Sequence, residues 1–170
     1  MNNLLILYEL NKAPSTMYGI ANSIKSDFAV LLTPSIGTIK PALKRLESSG
    51  FISSQKLMTS GGRPSVCYAI TEQGKVALKY EMLSDLPENP IQFLVNARVR
   101  LYCAEVLDNE DFMNLLAELK LRTENLMLDT QEMVLNNDVT FYPKMVFDNL
   151  TCEYKNFYSL LEGIEHACKR

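Results

Sequence analysis

The residues of this 170-residue chain with the chemistry for catalysis are few, and their spacing does not assemble them. The single histidine, His166, stands three residues before Lys169, where a cation suits a helix C-terminus. A nucleophile–base pair would have to be built on that one imidazole at a frayed end. Cys67, Cys103, Cys152 and Cys168 form no CxxC pair. Neither a disulfide framework nor a zinc site is expected, and the thiols read as free and mostly buried. The expectation is a protein that is not an enzyme and carries no cofactor or metal.

The side chains that do cluster are cations. Residues 1–80 hold nine Lys/Arg against four Asp/Glu, a net of +5, and residues 81–170 hold eight against sixteen, a net of −8. The overall charge of −3 averages two unlike halves. A basic half asks for an anionic partner, with double-stranded DNA first and a membrane surface second. The acidic half would repel DNA and so orient the molecule on it. Apolar runs such as Leu4 to Tyr8 are too short to span a bilayer, and Met1-Asn2-Asn3 lacks the positive start of a signal peptide. A cytoplasmic protein without a membrane partner is expected.

The elements that must position these cations read as helix, helix, helix, hairpin, helix. A first helix covers about residues 3–10 and breaks at Ala13-Pro14, with Ser15 or Thr16 capping the next. That second helix carries Ile20, Ile24 and Phe28 as one apolar stripe. Thr33 as N-cap and Pro34 at the first helical position start a third helix, which ends at Gly50 in the left-handed position. Its inner arc is Ile36, Ile39, Leu43 and Leu46; the opposite face carries Gly37, Thr38, Pro41, Lys44, Arg45 and Ser48. Pro41 inside the helix predicts a local bend. Phe51–Leu57 and Ser65–Ile70 read as strands around a loop containing Gly61-Gly62-Arg63, with Val66, Tyr68 and Ile70 alternating. Thr71 caps a fourth helix to about Leu83.

Leu86-Pro87-Glu88-Asn89-Pro90 is the expected boundary between a domain at 1–86 and one at 90–170. Helices follow at about 91–107, 109–136 and 143–168. The middle one has apolar positions at sevens on two faces: Phe112, Leu119, Leu126 and Met133, and Leu121, Leu128 and Leu135. The last carries Phe147, Leu150, Tyr154, Phe157, Leu161, Ile164 and Cys168 at alternating spacings of three and four. That is a coiled-coil seam, expected to join two copies.

Three short helices and a hairpin, with a cationic outer face on the third helix, make the plan of a winged helix-turn-helix. The fold expected is mostly α with a small β-hairpin: an N-terminal winged helix-turn-helix and a C-terminal, coiled-coil-like dimerisation domain. Gly37 and Thr38 leave room for close groove approach, Lys44 and Arg45 reach phosphates, and Arg63 at the loop can enter a neighbouring minor groove. Ser35 and Thr33 complete the helix start.

The segment Thr33-Pro34-Ser35-Ile36-Gly37-Thr38-Ile39-Lys40-Pro41-Ala42-Leu43-Lys44-Arg45-Leu46-Glu47, then Gly50-Phe51, resembles the recognition helix of the PadR family of bacterial regulators. Met17-Tyr18-Gly19-Ile20 is similar to the start of that family's second helix. Arg63-Pro64-Ser65-Val66-Cys67-Tyr68-Ala69-Ile70-Thr71-Glu72-Gln73-Gly74 is similar to its wing and the helix after it. The resemblance covers roughly residues 3–80 and makes Pro41 a family feature. Lys40 stands where the family has a tyrosine, and the order Tyr18-Gly19 is changed, so operator sequence does not carry over. Tyr18, Lys40 and Pro41 join the DNA-facing set on this ground. The resemblance also implies the larger subgroup with a helical dimerisation half, a homodimeric repressor on a palindromic operator, and, in some members, response to phenolic or drug-like effectors. The aromatic set Phe93, Tyr102, Phe141, Tyr142, Phe147, Tyr154, Phe157 and Tyr158 is where a small aromatic effector would be sought, although such a set at helical spacing is more often core. The alternative function is a winged-helix protein-interaction module without direct DNA binding.

Overall fold

The computed structural model describes residues 1–32, 35–58, 64–136 and 139–168, and of Asn136 the backbone only. Two compact units divide the chain, Met1–Leu107 and Asp108–Arg170. The Leu86–Pro90 stretch is therefore not where the units part. The first unit keeps helix α5 (Pro90–Tyr102) and a 3-10 turn (Ala104–Val106), because Val99 and Cys103 are buried in its core.

In the first unit, α1 (Asn2–Lys12), α2 (Met17–Phe28), α3 (Ile36–Ser48) and α4 (Glu72–Leu83) surround a core to which α1 contributes Leu4 through Tyr8 and Leu10. Ile20, Ile24 and Phe28 form the buried stripe of α2, as their spacing predicts. Thr16 caps α2 by accepting a hydrogen bond from Gly19 N–H, and Thr71 caps α4 by accepting from Gly74 N–H. Asn89 caps α5 through two backbone donors, with Pro90 at the first position.

The sheet has a strand that the sequence did not signal. Ser15–Thr16 (β1) pairs antiparallel with Pro64–Ile70 (β3), which pairs in turn with Ile52–Met58 (β2), in the order β1-β3-β2. The β2–β3 register runs without interruption from Ile52 opposite Ile70 to Met58 opposite Pro64. β2 is shifted one residue along from its expected span and β3 begins one residue earlier, and Val66, towards the far end, is exposed rather than half-buried.

The base of this hairpin is tied to α3 and α4. Gly50 takes a φ of +74°, and its N–H reaches the Glu47 carbonyl while Phe51 N–H reaches the Leu46 carbonyl. Those two bonds are a Schellman closure of α3. Thr71 then donates its N–H to the Phe51 carbonyl and its hydroxyl to the Gly50 carbonyl. Gly74 lies so close that a Cβ there would stand 1.9 Å from the Phe51 carbonyl oxygen.

Two polar clusters hold α5 in this unit. The buried Arg100 guanidinium donates to the Ser84 carbonyl at 2.6 Å, so it caps the end of α4. The Tyr8 hydroxyl donates to Glu105 at 2.9 Å, and Tyr8, Phe28 and Tyr102 stack edge to face or tilted. Burial raises the Cys103 thiol to about 12, so it stays protonated at neutral pH.

The second unit is a helical hairpin, α6 (Asn109–Asn136) and α7 (Phe141–Cys168), packed along each other. Asp108 caps α6 through Asp111 N–H. Thr123 and Thr130, buried on α6, satisfy their hydroxyls on the carbonyls of Leu119 and Leu126. Lys120 bridges to Glu165 at 2.7 Å and lies over the Tyr158 ring, which aligns the two helices. Pro143 falls in the first turn of α7, where its missing N–H costs nothing. Cys103 alone of the four thiols is buried; Cys152 and Cys168 are exposed on α7, a correction to the expected mostly buried set. Among the described residues, no helix is long and apolar enough to cross a membrane.

Candidate nucleic-acid interface

Helix α3 presents two sides of opposite character. Ile39, Ala42, Leu43 and Leu46 are buried. Ser35, Gly37, Thr38, Lys40, Pro41, Lys44, Arg45 and Ser48 are all exposed. At about 100° per residue, Gly37, Pro41 and Ser48 form a central strip, with Lys40 and Lys44 flanking it on one side and Thr38 and Arg45 on the other. Small groups in the middle and cations at the edges suit a duplex groove between phosphate ridges. None of Lys40, Lys44 and Arg45 makes an ion pair with another described residue.

Local bonding shapes this face. Ser35 is the N-cap with an extended backbone and no side-chain capping bond. Thr38 donates its hydroxyl to the Ser35 carbonyl at 2.8 Å, which leaves its oxygen free to accept. Ser48 donates to the Lys44 carbonyl. Pro41, Lys44, Arg45, Ser48 and Ser49 line a shallow cleft of about 460 Å³. Nothing inside the protein demands glycine at 37: an added Cβ would meet only Ser35 Oγ, at 3.6 Å. Glycine here leaves the outer surface of the first turn open.

Ile36 departs from expectation. Its spacing puts it on the inner arc, but it is 47% exposed, because the helix begins there and its whole first turn, Ser35 to Thr38, lies outside the packed part. Ala42 takes a buried place instead. Tyr18 is exposed in the first turn of α2. Helix α3 begins at Ile36 with Ser35 as its N-cap, two residues later than the expected start at Thr33 and Pro34; those two and the loop residues 59–63, Arg63 included, lie outside the described residues. One residue missed from the sequence is Lys56. It is exposed on β2, two positions beyond Ser54, whose hydroxyl donates to Glu47 of α3. Strand alternation puts Ser54 and Lys56 on one face, but only the bond to Glu47 shows that this face turns towards α3.

A family model described as the transcriptional regulator PadR-like family matches residues 6–80, the span that holds α3 and the hairpin. A PadR family transcription regulator from hypervirulent Clostridium difficile R20291 is 31% identical over 47% of this chain and 81% of its own, with a TM-score of 0.41. Over residues 6–80 the chain belongs to the PadR-like family of transcriptional regulators. Two solved structures match the PadR-like chain over nearly its full length. A protein from Streptococcus mutans UA159 is 26% identical, covering 96% of this chain and 98% of its own, with a TM-score of 0.43. Bacillus subtilis PadR in complex with operator DNA is 20% identical, covering 98% of each, with a TM-score of 0.47. Curated proteins yield no match.

In the PadR-like chain the residues expected at the dimer seam are buried or half-buried. Tyr154, Phe157 and Leu161 are buried within the single chain, and Phe147, Leu150 and Ile164 are half-buried along the same face. The seam is taken up inside the chain, where α7 packs along α6. The aromatic set is divided between the two units. Phe93 is buried in the first unit, Tyr102 stacks on Phe28, and Phe141 and Tyr142 stand exposed at the start of α7.

Proposed function

We propose that this PadR-like regulator binds double-stranded DNA sequence-specifically, as a homodimeric repressor on a palindromic operator. The exposed face of α3 carries the proposal: an open strip of small groups edged by Lys40, Lys44 and Arg45. In a duplex, Gly37, Thr38, Ser35 and Lys40 would approach base edges, while Lys44, Arg45 and Lys56 would neutralise phosphates. Thr33, Tyr18 and Arg63 belong to the same proposed surface. Titration of promoter DNA at rising salt tests it. The affinity should fall steeply, by about 0.9 in log–log slope for each phosphate contact; a flat dependence would favour a protein-interaction module. Transcription from that promoter in vitro should fall when the protein is added, and a rise would overturn repression.

Two-fold pairing has a second candidate surface besides the α7 seam, whose Phe147, Leu150 and Ile164 are half-buried in the chain. Leu121, Leu128 and Leu135 recur at sevens on the exposed side of α6, the last 80% exposed, and Phe141, Tyr142, Met145 and Val146 are exposed on α7. Apolar side chains at this density in one unit exceed what a monomer usually leaves wet, and heptad spacing on α6 suits a helix of a second copy. Sedimentation of a Leu128→Lys/Leu135→Lys variant should show a folded monomer where the wild type is a dimer. A variant that stays dimeric would exclude this stripe.

A further inference from the structure

We infer that Glu47 is a positioning residue: its carboxylate, by accepting the Ser54 hydroxyl, sets the Lys56-bearing face of the hairpin against the outer side of α3. The inference rests on the DNA-binding reading above for its consequence, though not for the contact itself.

Residues 35–58 contain four cations, Lys40, Lys44, Arg45 and Lys56, and a single acid, Glu47. A carboxylate on a phosphate-facing surface opposes binding, so its presence asks for another use. The structure supplies one. Glu47 lies in the last turn of α3, and its own carbonyl takes the Gly50 N–H that closes the helix. Its side chain reaches across that closure to Ser54 on β2. Ser54 stands opposite Tyr68 on β3, and Lys56 stands opposite Val66, two positions further out. The Tyr68 phenol is raised by its burial and, next, by the charge of Glu47.

Beyond Ile52 every residue of β2 is exposed. Few apolar contacts then hold the outer hairpin against α3, and such segments open readily. A hydrogen bond to a carboxylate is about twice as strong as a neutral one. Placed at the hairpin's base, it has leverage over everything further out, Lys56 first.

The test uses the full chain with Glu47→Ala, Glu47→Gln, Lys56→Ala and the Glu47→Ala/Lys56→Ala pair. Glutamine keeps an acceptor for Ser54 and removes the charge. Hydrogen exchange of the β2 and β3 amides, without DNA, should quicken about tenfold in Glu47→Ala, as for the loss of one charge-assisted bond, and about threefold in Glu47→Gln, which keeps a neutral bond of about half the strength. In promoter-DNA titrations, Lys56→Ala should lower the salt slope by about 0.9 in the wild-type background and by less than about half of that beside Glu47→Ala. Unchanged exchange in Glu47→Ala, exchange in Glu47→Gln as fast as in Glu47→Ala, or an equal Lys56→Ala effect in both backgrounds overturns the inference. Quickened exchange with no salt-dependent DNA binding in any variant upholds the anchor and sinks the DNA reading instead.

Discussion

Replacing Gly74 with alanine is expected to unfold the winged-helix unit well below the wild-type midpoint. The new Cβ would lie 1.9 Å from the Phe51 carbonyl oxygen, 2.9 Å from its carbon and 2.7 Å from Ile70 Cγ1. Two of those neighbours are backbone. That backbone is pinned: the Phe51 carbonyl accepts Thr71 N–H, and Phe51 N–H closes α3 on Leu46. Relief therefore has to come from moving α4 off the hairpin base, which also loosens the Thr71 cap that Gly74 N–H engages. Overpacking of this kind costs about 3 kcal/mol at its upper range, and for a unit of this size that is a fall of roughly 15 °C in midpoint. Thermal melts followed by circular dichroism measure it. Gly163→Ala is the matched comparison, since a Cβ there meets nothing within 4 Å. On exposed α7 it should stabilise the chain, by about 0.5–1 kcal/mol. A Gly74→Ala midpoint within about 2 °C of wild type would show that α4 does not press on Phe51 as described.

Gly74 also shows where reading the sequence stops. Its neighbours Thr71 and Glu72 announce a helix start by local chemistry, and Thr71 does cap α4. The same kind of local signal foretold Gly50 at the end of α3 and the buried stripe Ile20, Ile24 and Phe28. The need for glycine at 74 arises from Phe51, twenty-three positions back, and no local pattern encodes that approach. β1 failed to show for the same reason: two residues make no periodicity, and their partner β3 lies some fifty residues on. The α7 seam is a different case. Spacings of three and four state that a helix packs lengthwise on another, but not whether the partner is α6 of the same chain or a second copy. The structure puts Tyr154, Phe157 and Leu161 inside the chain, and leaves Leu121, Leu128 and Leu135 exposed on the second face of α6. Within the candidate interface, the α3 face was legible because amphipathic spacing separates Ile39, Leu43 and Leu46 from Lys44 and Arg45. Lys56 was not, since its direction depends on how the hairpin meets α3.

Lys44→Ala/Arg45→Ala is expected to remove about 1.8 from the salt slope of DNA binding, two contacts at about 0.9 each. Both side chains are exposed on α3, pair with no described acid, and flank the Pro41–Ser48 cleft on opposite sides of the strip. A pair so placed can meet both phosphate ridges of one groove, which is why the loss should be close to additive. Because phosphates are the same in every sequence, the variant should lose affinity for operator and non-operator DNA alike and keep their ratio. Thr38→Ala should do the reverse, relaxing discrimination at one base position by about 1 kcal/mol, as for one ordinary hydrogen bond, with the slope unchanged. Neither change touches the buried face of α3, so melting temperatures should match wild type. The contrast separates the two ways in which one helix can hold DNA. A folded Lys44→Ala/Arg45→Ala variant with an unchanged salt slope would take α3 off the duplex and leave the winged helix as a surface for another protein.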